Sequence, residues 1–76
     1  MYILSTVRPQ EGHQIQTEAW DRLEQAEESA RTHVALQLKM HPGRSYSVLR
    51  PPAQHLGYTR VAEGDRVDLV IKVERV

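Results

Sequence analysis

One stretch of this chain, Trp20 to Leu38, spaces its apolar residues for a helix, while the segments on either side of it alternate. Trp20, Leu23, Ala26 or Glu27, Ala30, Val34 and Leu38 recur at three- and four-residue intervals, the period of one helix face. A lone amphipathic helix has nothing of its own to bury that stripe against. The remaining residues must therefore build the opposing surface, and their alternation makes that surface a sheet. Asp21 is placed to cap the helix, with Glu24 three residues on completing a capping box. Asp21, Glu24, Glu27 and Glu28 put negative charge at the positive end of the helix dipole. Lys39 and His41 stand at the other end, before the Pro42-Gly43 stop. The spacing predicts a helix from about Arg22 to Met40.

The flanking segments read as strands. Tyr2–Val7 is rich in β-formers and ends before Arg8-Pro9; after the polar turn Gln10-Glu11-Gly12, His13–Glu18 alternates, with Ile15 and Thr17 on one side. Downstream, Ser45–Leu49 is followed by Pro51-Pro52 and a loop from Ala53 to Gly57, and Tyr58–Ala62 and Arg66–Val76 flank the turn signal Glu63-Gly64-Asp65. Val67, Leu69, Ile71 and Val73 share one face of the last segment, with Arg66, Asp68, Lys72 and Glu74 facing outward. The order β-β-α-β-β-β predicts an α+β domain spanning residues 1–76: one amphipathic helix packed on a single antiparallel sheet of four to five strands. The helix is expected to bury Trp20, Leu23, Ala30, Val34 and Leu38 against Val67, Leu69, Ile71 and Val73.

Composition narrows the chemistry. At 76 residues the chain has material for one small domain, which buries only about 60% of its unfolded surface. It holds no cysteine, which removes disulfides, thiolate metal sites and thiol nucleophiles together. The start Met1-Tyr2-Ile3-Leu4 has neither a basic lead nor a long apolar run, so the expectation is a cytoplasmic protein with no membrane span. His13, His33, His41 and His55 have no nucleophile elbow, paired carboxylate or metal-ligand spacing beside them, and no glycine cluster precedes the helix. The expectation is a protein that is not an enzyme and needs no metal or other cofactor.

Charge is the feature with functional content. Net charge is zero, yet residues 1–38 hold three arginines against six carboxylates, and 39–76 hold seven cations against four. Residues 29–62 contain no acid, and there Lys39, Arg44, Arg50 and Arg60 are interleaved with Tyr46 and Tyr58. Arginine and tyrosine concentrate at the energetic centres of interfaces, so these six are the candidate partner-binding residues. The same set suits phosphates and bases, which makes a small nucleic-acid-binding regulator the alternative reading. An ordinary solvated basic face is the third account, and sheet completion by an edge strand of a second copy is a fourth.

The layout also resembles that of the anti-CRISPR proteins, small phage-encoded inhibitors. The matching stretches are Tyr2–Val7, His13–Glu18, Arg22–Met40 and Ser45–Val76, nearly the whole chain. That family shares no common motif, so the resemblance assigns no residue a role. It implies a stoichiometric, phage-type protein–protein interaction in host cytoplasm, with a CRISPR effector or another nucleoprotein complex as the partner.

Overall fold

In a computed structural model, residues 1–49 and 58–76 are described, and they form an α+β fold. Strand β1 (Tyr2–Arg8) leads through a 3-10 turn (Pro9–Glu11) into β2 (Gln14–Trp20). Helix α1 (Leu23–Met40) follows, then β3 (Ser47–Leu49), β4 (Tyr58–Glu63) and β5 (Arg66–Arg75). All pairings are antiparallel, in the order β2-β1-β5-β4-β3, so the longest strand sits at the centre and β2 and β3 are the edges. The expected element order and class are those observed. The proposed loop Ala53–Gly57, with Arg50, Pro51, Pro52 and His55, lies outside the described residues.

The core lies between α1 and one face of the sheet. Leu4, Val61, Leu69 and Ile71 are fully enclosed there, with Ala26 and Ala30 facing them from the helix. Small residues at the contact let the helix lie close on the sheet. Tyr2, Trp20, Leu23, Val34 and Tyr46 close the periphery.

Four details depart from the sequence reading. Trp20 does not belong to the helix stripe: it is the last residue of β2, paired with Tyr2. Because β2 runs that far, the chain turns into the helix one residue later than Asp21. Arg22 is the N-cap, and its N–H donates to the Gln25 side chain at 3.1 Å. At the other end Leu38 is 39% exposed, and Gln37 takes the buried position. Seven residues beyond Ala30 is nearly two full turns, whereas eight points well off the stripe.

The fourth departure is at β5. Ala62 pairs with Val67 but Val61 pairs with Leu69, so Asp68 is an extra residue, a β-bulge. Alternation sends Asp68 outward; the bulge brings it round to the helix side beside Leu69, 7% exposed. Val67 pairs with Ala62 on the other face and is only half-buried, outside the core where the alternation placed it. Arg66 faces Glu63 across the Gly64-Asp65 turn, where Gly64 supplies φ +60 in the first central position. Arg66 and Asp68 therefore sit at the helix-side end of the sheet, not on its outer face.

Candidate protein-binding surface

Of the six residues singled out by charge and aromaticity, the five that are described lie on different parts of the fold. Lys39 is exposed in the last turn of α1. Arg50 is outside the described residues. Arg44 and Tyr46 are committed to contacts within the fold. Arg44 donates to Glu63 at 3.1 Å, and the Ser45 N–H donates to the other Glu63 oxygen at 2.8 Å. Those two contacts, the Ser45 amide first, hold the Glu63 carboxyl below its ordinary range. Tyr46 donates to Asp68 at 2.6 Å and accepts from the Gln37 amide at 3.1 Å, while Arg66 donates to the other Asp68 oxygen at 2.8 Å. Burial pushes Asp68 upward, but the Tyr46 and Arg66 hydrogen bonds outweigh it and hold the carboxyl low. Tyr46 is pushed up, first by burial and then by Asp68.

A second polar cluster ties the helix to β2. Glu18 accepts from Ser29 at 2.6 Å and from the Trp20 indole at 2.9 Å, and its other oxygen lies 2.7 Å from His33 Nε2. Burial raises the Glu18 carboxyl, but these three partners prevail and lower it. Sequence reasoning had no pointer to this cluster, because Glu18 and His33 meet only through the strand–helix packing. Ser29 and His33 both address the carboxylate. In a nucleophilic triad the histidine stands between hydroxyl and acid; here the carboxylate stands between.

Tyr58 and Arg60 do come together. Both project from the outer face of β4, the face away from the helix. The Arg60 guanidinium lies 5.2 Å from the centre of the Tyr58 ring and donates to its hydroxyl at 3.1 Å. Cross-strand register places Arg60 in a row that crosses the whole sheet: Leu49 on β3, Arg60 on β4, Val70 on β5, Val7 on β1 and Ile15 on β2. Leu49 is 53% exposed and Ile15 66%. Four apolar residues therefore flank one arginine that is braced on a tyrosine, on a face that α1 does not cover. Leu49, Val70, Val7 and Ile15 escaped the sequence analysis because they are far apart in the chain and only pairing aligns them.

Of the nine described cations, five are neutralised. Arg8, Arg31, Arg44, Arg66 and Lys72 each lie within 4.0 Å of a carboxylate, leaving Arg22, Lys39, Arg60 and Arg75 without an ion pair among the described residues. No group of histidines and carboxylates suited to a metal ion is found among the described residues, and no helix there is long and apolar enough to cross a membrane. Comparison with protein families, with characterised proteins and with solved structures finds no match to this chain.

Proposed function

We propose that this chain is a non-enzymatic protein-binding module that covers a surface of a larger assembly with the outer face of its sheet. The observation that carries the reading is the row Leu49–Arg60–Val70–Val7–Ile15 with Tyr58 beside it. Exposed Leu49 and Ile15 and half-buried Val7 and Val70, in line with an arginine stacked on tyrosine, have the make-up of an interface centre. A nucleic-acid surface would instead gather unpaired cations. The finer proposal is a phage-type inhibitor that occupies a nucleoprotein complex, as the anti-CRISPR proteins do; it rests on the resemblance in layout. The Asp68 cluster ties helix and loop to the sheet and the Glu18 cluster ties helix to sheet, so both are used in holding the fold together, which agrees with a binding role rather than a catalytic one.

The test is capture from a bacterial lysate on immobilised protein, with and without nuclease, repeated with Leu49→Lys and Tyr58→Ala. A protein retained after nuclease and lost with either variant, both still folded by circular dichroism, supports the reading. Submicromolar binding of wild type to bare labelled oligonucleotides, falling steeply with salt, would replace it with a nucleic-acid role.

A further inference from the structure

Strand β2 is an open edge of seven residues, five of them exposed and none of them lysine or proline. Its register with β1 runs unbroken from Tyr2–Trp20 to Arg8–Gln14, so no bulge twists the edge away. Soluble proteins usually blunt such an edge with charge, proline or a bulge. The one charged side chain, Glu18, is turned inward to Ser29 and His33. The edge is left competent to pair.

We infer that β2 pairs antiparallel with β2 of a second copy about a two-fold axis at Thr17, fusing two five-stranded sheets into one. This inference is independent of the partner proposed for the outer face.

The register is self-complementary. Thr17 meets Thr17, Gln16 meets Glu18, Ile15 meets Ala19 and Gln14 meets Trp20, with no like charges opposed. The pairing also brings a cation toward a groove that each copy leaves open, where Glu24 is the carboxylate free to receive it, since Glu28 is held by Arg31 at 2.8 Å. An open groove of about 480 Å³ runs between Trp20 and the first half of α1, lined by Glu24, Gln25, Glu28, Ser29 and Thr32. Within one copy Arg8 stands opposite Gln14, on the helix side of the sheet. Gln14 of the second copy stands opposite Trp20, so the second copy's Arg8 lies two strand spacings, about 10 Å, from Trp20 on the same face. That separation suits an arginine extending over the indole toward Glu24. Arg8 has only a 3.8 Å contact with exposed Glu11 to give up. The contact forms twice about the axis. A foreign extended segment could use the same edge, but nothing in the fold supplies its register or its cation, whereas this chain supplies both.

Light scattering after size exclusion tests the inference, with wild type expected at twice 8.7 kDa. Thr17→Lys opposes two lysines on the axis and should give a monomer with an unchanged circular-dichroism spectrum. Arg8→Glu should weaken the dimer about tenfold, and adding Glu24→Arg should restore most of it. A wild type that stays at 8.7 kDa up to about 1 mM overturns the inference. So does a Thr17→Lys variant that dimerises like wild type, or a charge swap that restores nothing. Leu49→Lys should leave the dimer intact, which separates this result from the outer-face binding.

Discussion

The Tyr46 hydroxyl donates to the Asp68 carboxylate across 2.6 Å, fastening the segment after α1 to the bulge in β5. Both groups are largely withdrawn from water, so neither can substitute a solvent molecule freely. Tyr46→Phe should cost about 1.5–3 kcal/mol, the range for hydrogen bonds to charged groups, measured by urea denaturation. Arg44→Ala, which removes an exposed partner of Glu63, should leave the denaturation midpoint close to wild type.

Acid should act through the same carboxylates. Asp68 and Glu18 are both held below their ordinary values of 3.8 and 4.5. A carboxyl lowered by folding contributes stability that is complete above its unfolded value and lost as pH falls toward its folded one. Urea midpoints should therefore be flat above about pH 5 and decline below it. Tyr46→Phe should shallow that decline, because it raises the folded-state Asp68 value. At the alkaline end the sign reverses: Tyr46 is raised above 10.0, so its contribution is present below that pH and lost as pH climbs beyond it. A midpoint that rises on acidification would contradict the assignment.

Glu18 is the second place where removing one side chain strands several. Glu18→Ala leaves Ser29, the Trp20 indole and His33 without their shared acceptor, and should cost about 1–3 kcal/mol. Ser29→Ala, which removes one donor and leaves the others in place, should cost clearly less. Equal losses would mean that the carboxylate is not the hub.

Core substitutions should follow the observed faces. Leu69→Ala empties a fully enclosed position and should cost about 2–5 kcal/mol, whereas Leu38→Ala, at an exposed site, should cost about 0.5 kcal/mol or less. Thr6 offers the opposite experiment. Its side chain is 1% exposed and its hydroxyl has no partner, so Thr6→Val should keep or raise the thermal midpoint. A clear drop would show that the hydroxyl is hydrogen-bonded in solution.

The sequence carried the element order because period is a local property. Helical spacing marks α1, alternation marks β5, and Gly64-Asp65 marks the hairpin turn between β4 and β5. It misassigned Asp68, since one extra residue in a ladder leaves no mark on hydrophobicity. Arg44 and Tyr46 looked like free interface residues because their acceptors, Glu63 at the end of β4 and Asp68 in β5, lie 19 and 22 residues further along the chain. Of the candidate surface, only Tyr58 and Arg60 were legible, being two residues apart on one strand. The aliphatic row around Arg60 comes from four different pairings and has no local signature.

The bulge also determines where the chain can lose a residue. Deleting Val70 would slip the remainder of β5 out of frame and turn Ile71 and Val73 away from the core. Deleting Asp68 would do no such thing: Val67 against Ala62 and Leu69 against Val61 would become consecutive rungs of a regular ladder. The sheet would keep its frame, and what would disappear is the anchor for Tyr46 and Arg66. Position 68 is thus an insertion the ladder itself does not require, kept in step on both sides, and related chains that omit it would be expected to have lost the tyrosine's acceptor along with it.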